Sequence, residues 1–172
     1  MNDNEQINNN IPVKRLRCEP LTVSEADAKK VFGLNDNWRP HKYIRHDFEV
    51  QGAVVMDYAT GLMWQKAGSD GFMTYSQAQK YVETLNRQRF AGYDDWRLPT
   101  IPELMSLLEP KELNGDLYID PMFDPAQRWC WSADIMQTKD ESSSGAAWDV
   151  HFRNGRVGWH LLRNGYVRGV RS

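Results

Sequence analysis

The run Ala91-Gly-Tyr-Asp-Asp-Trp-Arg-Leu-Pro-Thr-Ile-Pro-Glu-Leu104 constrains this chain more than any other, because it holds a turn, an extended link and a helix start in succession. Gly92 tolerates backbone angles that a Cβ resists, and Asp94 and Asp95 can bond back onto nearby amides, so the first half reads as a turn. Thr100 and Glu103 stand at the T-x-x-E spacing of a capping box, with Pro102 in the first turn, where a missing N–H is tolerated. Between turn and helix, Trp96-Arg97-Leu98-Pro99 reads as extended. Arg97 is either a site residue or a staple that bonds loop carbonyls and a carboxylate. Its place between Trp and Leu in a tight connection favours the staple.

Upstream, residues 1–11 are Asn-rich and read as a disordered tail, and residues 12–47 as an N-terminal extension. Within it, Pro12 to Arg17 is expected to pair as an edge strand. Ser24 to Gly33 reads as a short helix capped by Ser24, stopped by Gly33 and docked through Val31 and Phe32. Asn35 to His46 is a polar connection. His41 and His46 have no carboxylate or cysteine in ligand register, so no metal is expected there. Residues 48–172 form the main domain. Phe48 to Gln65 reads as two strands around a turn at Asp57–Gly61, with Val55, Leu62 and Trp64 inward. Thr74 and Gln77 make a second capping box for a helix through about Arg89, its core face carrying Ala78, Tyr81 or Val82, and Leu85. The Thr100-capped helix carries Ile101, Leu104, Leu107 and Leu108 and ends at Pro110.

Lys111 to Gln127 is an irregular segment with Glu112, Asp116, Asp120 and Asp124. Such carboxylates could hold calcium, but their spacing matches no EF-hand, and a solvated loop is favoured. Trp129 opens a strand, and Gln137 to Gly145 is a polar excursion. In Trp148-Asp-Val-His-Phe-Arg153 the residues Trp148, Val150 and Phe152 share one face, and Asp149, His151 and Arg153 the other. Asn154-Gly155 signals a two-residue hairpin turn, which sets Arg153 opposite Arg156, Val150 opposite Trp159 and Asp149 opposite His160. One face then docks on the core. The other displays Asp149, His151, Arg153, Arg156 and His160. A second turn at Asn164-Gly165 leads into a closing strand, Tyr166 to Arg171.

Composition narrows the function classes. A net charge of −2 gives no global field for nucleic acid or anionic membrane, and Arg153, Arg156, Arg163, Arg168 and Arg171 divide between strand faces, so neither partner is expected. No apolar run approaches the roughly 20 residues of a membrane span, and the N-terminus lacks the pattern of a signal peptide, so a cytoplasmic protein is expected. Nothing in the sequence sets an oligomeric state. Cys18 and Cys130 stand in no metal-type spacing, and a bridge between them is the less favoured reading. There is no G-x-S-x-G, Walker loop, G-x-G-x-x-G or H-E-x-x-H. A triple of Ser132, His151 or His160, and an Asp can be drawn, but any chain of this size offers such triples. No enzyme, cofactor or metal is expected.

Four ordered segments resemble the Lcl C-terminal domain family: Gly92 to Thr100 with Glu103-Leu104 after it, Thr60 to Gln65, Trp131-Ser132 followed by Ala147 to Phe152, and Val167 to Arg171. They span roughly Val54 to Arg171. The resemblance implies an α+β, C-type-lectin-like fold, distantly akin to the formylglycine-generating enzymes, with two helices packed on short antiparallel sheets. It implies no single activity. Those enzymes use a pair of nearby cysteines, which this C-terminal half lacks, and the Glu-Pro-Asn or Gln-Pro-Asp sugar triad of calcium-dependent lectins is also absent. Lectin-like relatives often tie first helix to last strand by a disulfide. The corresponding positions look like Val82 and Gly169, which fits a reducing compartment. The expectation is a non-enzymatic recognition domain for a protein or carbohydrate ligand. Similar domains occur as variable proteins of diversity-generating retroelements. That likeness would make Asp149, His151, Arg153, Arg156, Gly158, Trp159, His160, Leu161 and Leu162 the ligand-binding surface. The competing expectation is an accessory domain docked on a larger assembly by its N-terminal arm.

Overall fold

The computed structural model describes residues 12–138, 146–160 and 164–172, without the side chain of His160. The expected disordered tail, most of the polar excursion, Arg163, and Leu161 and Leu162 lie outside the described residues. In chain order the elements are β1 (Thr22–Val23), α1 (Glu25–Phe32), β2 (Phe48–Gln51), β3 (Val54–Asp57), β4 (Leu62–Gln65), α2 (Tyr75–Arg87), α3 (Ile101–Ser106), β5 (Trp129–Met136), β6 (Ala147–His151), β7 (Arg156–His160) and β8 (Val170–Arg171). The strands form two four-stranded sheets, ordered β1-β5-β6-β7 and β2-β3-β4-β8. The fold is therefore mixed, with short helices laid against two small sheets. Among the described residues, no helix is long and apolar enough to cross a membrane.

All three helices start where their caps place them. Ser24 accepts from the Asp27 N–H, and Gly33 ends α1 in the left-handed region at φ 67. Thr74 and Gln77 close a complete capping box on α2, and the Thr100 N–H donates to the Glu103 carboxylate at 2.9 Å on α3. Of the two α1 residues expected to dock, Phe32 is buried and Val31 is exposed, because only one falls on the inward stripe. Phe48 to Gln65 holds three strands, not two. A further reversal at Gly52, with φ 64, lets β2 pair antiparallel with β3.

The 91–104 run joins the two ends of the main domain. The Asn86 side chain grips the Trp96 backbone with two bonds of 2.7 and 2.8 Å, and the indole is 2% exposed. Arg97 exchanges backbone hydrogen bonds of 2.9 and 3.0 Å with Val170. Its guanidinium meets both oxygens of buried Glu103 at 2.7 Å. Arg97 is a staple. Arg171 repeats the device on Asp95, at 2.6 and 3.0 Å. Fully buried Arg168 donates through one nitrogen to the carbonyls of Gln65 and Lys66 and lies over the Phe123 ring.

The N-terminal segment runs differently from the expectation. Pro12 to Arg17 is not a strand. Its place at a sheet edge is taken by β1, which runs parallel to β5. The reason is Asp134, a wholly buried carboxylate that collects Arg17 through two bonds of 2.8 Å, the Leu21 N–H at 2.7 Å and the Ile101 N–H at 2.6 Å. Those four donors fix the chain just ahead of β1 and close the start of α3. Cys18 is exposed, Cys130 is buried, and both are free thiols.

The segment's far end is clamped by His46. Its Nδ1 lies 2.8 Å from the Asp57 carboxylate, and its Nε2 lies 2.6 Å from the Ser106 carbonyl. Both neighbours are acceptors, an arrangement complete only when both ring nitrogens carry hydrogen, the imidazolium form. Burial alone would lower its pKa. The hydrogen bond and charge of Asp57, the Ser106 carbonyl and the Glu109 charge outweigh burial and raise it above 6.5. For Asp57, burial pushes upward, and the bonds from His46 and Thr60 bring it below 3.8. A raised histidine pKa contributes stability that is complete below its unfolded value and fades as pH climbs through the folded value. A depressed aspartate pKa contributes stability that fades as pH falls through its folded value. Melting temperature is therefore expected to decline above about pH 6.5 and again in acid. A His46→Phe variant, melted across the same pH series, should lose the upper decline. An upper limb unchanged in the variant would assign it to another group.

Candidate functional site

A cleft with a volume of about 690 Å³ lies across the outer edge of β7. The final hairpin supplies His151, Arg153, Asn154, Arg156, Val157, Gly158 and Trp159, while Glu25, Trp38 and Trp129 come from three other segments. The hairpin forms because β6 and β7 alternate apolar and polar residues around Asn154-Gly155, but its register differs from the expected one. His151 opposes Arg156, Val150 opposes Val157 and Asp149 opposes Gly158. The loop is Phe152 to Gly155 because Phe152 is paired elsewhere: its N–H donates to the Arg128 carbonyl, and its carbonyl accepts from the Tyr118 N–H, both at 2.8 Å. A slip of two residues leaves every side chain on its expected face. Trp148, Val150, Phe152 and Val157 are all buried in the main core.

The opposite face is not the open display that alternation implied. Asp149 is 1% exposed, because Trp131 and Ala147 on this side of the sheet pack with Ala78 of α2 and with Val167. Asp149 lies 3.2 Å from the His151 ring, which is itself 13% exposed. Gly158 opposes Asp149 closely enough that a Cβ there would come 3.1 Å from its carboxylate. Asp149 and Gly158 are thus packing partners, and Asp149 is corrected from exposed to buried. Arg153 and Arg156 at the turn end are exposed, and His151, Gly158 and Trp159 are half-buried. Of the expected surface, His151, Arg153, Arg156, Gly158 and Trp159 are brought together in the cleft, and Asp149 lies behind them. The His160 side chain, Leu161 and Leu162 are outside the described residues.

The sequence reading missed two walls. Trp129 is the middle of a row of near-parallel rings, with exposed Phe72 at 5.2 Å on one side and His151 at 5.9 Å on the other. Trp38 belongs to the N-terminal segment and sits in the left-handed region at φ 61, uncommon for a residue with a bulky side chain. Asn35 holds this loop by accepting from the N–H groups of Asn37 and Arg39, and the Trp38 indole stacks on Trp148 at 6.0 Å. The Trp38 carbonyl accepts from the Val157 N–H at 2.9 Å, and Arg39 reaches the Asn154 carbonyl at 3.0 Å. A lone Trp in a polar connector was the only available signal.

Electrostatically the mouth is mixed. Arg153 lies 3.4 Å from Asp116, which is also bound by Arg128 at 2.9 Å. Arg156 has no hydrogen bond or ion pair among the described residues, and Glu25 supplies the cleft's exposed carboxylate. Elsewhere in the acidic loop, Asp120 and Asp124 accept from backbone amides two residues on. No group of His, Cys, Asp or Glu among the described residues is placed to hold a metal. Ser132 is fully buried and donates to the Trp148 carbonyl at 2.8 Å, out of reach of a substrate. Burial pushes the Cys130 thiol up to about 12. Aromatic planes, a free guanidinium and hydrogen-bonding groups can stack on, charge-match and orient a ligand.

Compared with known proteins, residues 53–171 match the family model described as the Lcl C-terminal domain. No curated protein and no solved structure matches the chain.

Proposed function

The chain belongs to the Lcl C-terminal domain family, and from that premise we propose that it is a non-enzymatic recognition domain whose ligand sits in the cleft over β7. One observation carries this reading: the hairpin's inward side is committed to the core, while its outer end joins Trp38 and Trp129 around a cavity. Aromatic rings and arginine are the groups that most often dominate binding energy at recognition surfaces. The buried hydroxyl of Ser132 and the buried thiol of Cys130 support the non-enzymatic part. The fold reading that goes with it is a C-type-lectin-like scaffold. In the sharper version the domain is a variable protein of a diversity-generating retroelement, and the exposed end of the hairpin is the varied surface. A reverse transcriptase gene and a near-repeat of the 3′ coding end beside this gene are the observation that would support it. The accessory-arm alternative is weakened because the N-terminal segment spends its contacts on its own domain, from Arg17 on Asp134 to Trp38 on Val157.

The test is an array carrying both linear peptides and glycans, probed with the wild type and with Arg153→Ala/Arg156→Ala. Both arginines are exposed, so the variant is expected to melt with the wild type. It is expected to lose the wild-type array signal. Binding that survives in the variant, or no wild-type binding to either class, would refute the reading.

A further inference from the structure

β7 is the last strand of its sheet, so one side of its backbone faces outward. In an antiparallel ladder, residues point their N–H and C=O alternately toward and away from the neighbouring strand. The Val157 N–H goes to the Trp38 carbonyl, away from β6, so the Trp159 N–H and C=O point outward as well. Trp38 is the only main-chain partner on that side of β7 among the described residues. Among the described residues the edge is therefore closed at Val157 and open at Trp159, inside the cleft. Trp38 shows that the main chain of another segment can pair there, and it does so by one bond from a left-handed conformation.

We propose that this open edge takes an extended acidic peptide as an added strand, its main chain pairing with Trp159 and its carboxylates meeting Arg156 and Arg153. The inference rests on the recognition reading and narrows it to one ligand class. Main-chain pairing at a free edge supplies affinity, and alternate side chains supply specificity. The cleft presents rings on both faces of β7, Trp38 and Trp159 on one and Trp129 with His151 on the other, so successive residues of an added strand each meet an aromatic wall. Arg156 selects the acid: it is exposed and uncommitted, Arg153 shares Asp116 with Arg128, and together they outnumber Glu25, the cleft's one exposed carboxylate.

The probe is a library of short random linear peptides displayed against the full chain. Selected peptides are expected to carry Asp or Glu, and their binding to weaken with salt. On peptide addition the Trp159 amide should become protected from hydrogen exchange. Replacing peptide amides one at a time by N-methyl amides should lower affinity about tenfold at alternate positions only, the loss of one buried main-chain bond. Arg156→Ala should weaken binding and flatten its salt dependence. Tolerance of N-methylation at every position, or unchanged exchange at Trp159, would overturn the proposal. Selection of no peptide, with glycan binding that the double arginine variant abolishes, would sink this inference and leave the recognition reading standing. Protection of Trp159 by self-association without peptide would make a second copy the occupant, and also refutes it. If neither peptides nor glycans bind, both readings fall.

Discussion

Asp134→Ala is expected to destabilise the protein by about 3–5 kcal/mol, the range for removing one partner of a buried ion pair. The carboxylate has no exposure and serves four donors, Arg17 twice and the N–H groups of Leu21 and Ile101. Removing it leaves two amides without an acceptor, each worth about 1–3 kcal/mol when buried. Arg17 softens the loss, because its side chain is 25% exposed and can turn toward water. Asp134→Asn should recover little: its amide nitrogen would face donors already aimed at that position. Urea unfolding of wild type, Asp134→Ala, Arg17→Ala and the double variant gives the coupling directly. A loss below about 1 kcal/mol in Asp134→Ala, small on the scale of mutational effects, would mean that the N-terminal segment is held by its apolar contacts instead.

Phe152→Ala is the second large effect, at about 3–5 kcal/mol for a buried aromatic truncated to a methyl. The ring is fully buried in the main core at the point where the hairpin leaves the sheet. The comparison is Asp149→Ala against Arg156→Ala. Alternation alone treats both as harmless surface changes. Burial separates them, since Asp149 sits in a packed layer beside His151 and Gly158. Thermal melts of the three variants are expected to rank Phe152→Ala lowest, Asp149→Ala between, and Arg156→Ala level with wild type. An Asp149→Ala melt equal to that of Arg156→Ala would return Asp149 to the surface.

Features set by a few neighbouring residues were legible in the sequence. The caps at Ser24, Thr74 and Thr100 each depend on a partner within three residues, and all three start a helix. The Arg97 staple was legible for the same reason, its carboxylate lying six residues away. The faces of the hairpin followed from its period of two. Its register did not, because Phe152 is held by Arg128 and Tyr118, which alternation in β6 and β7 cannot reveal. The burial of Asp149 likewise depends on what packs over that side of the sheet. Val13 and Leu16 imitate a strand, yet the pairing goes to Thr22–Val23, where Asp134 sets the chain. The cleft was half legible: the hairpin residues were found, and Trp38 was not, because it lies in a connector without periodicity.

The N-terminal segment also decides the order in which this molecule can be made. It leaves the ribosome before the rest of the domain, yet its partners arrive late: Arg17 waits for a residue 117 positions on, Arg39 for one 115 on, and Val23 for the Trp148 indole 125 on. Contacts of such separation are slow to form, because loop closure must precede any gain from them. Until those residues emerge the Arg17, Val23 and Arg39 contacts cannot form, and the β5 and β7 edges the segment will cover do not yet exist. Once β5 to β7 have formed, those edges are bare until it docks, the interval in which strand edges pair with the wrong chain. Assembly of this domain therefore ends where its sequence begins.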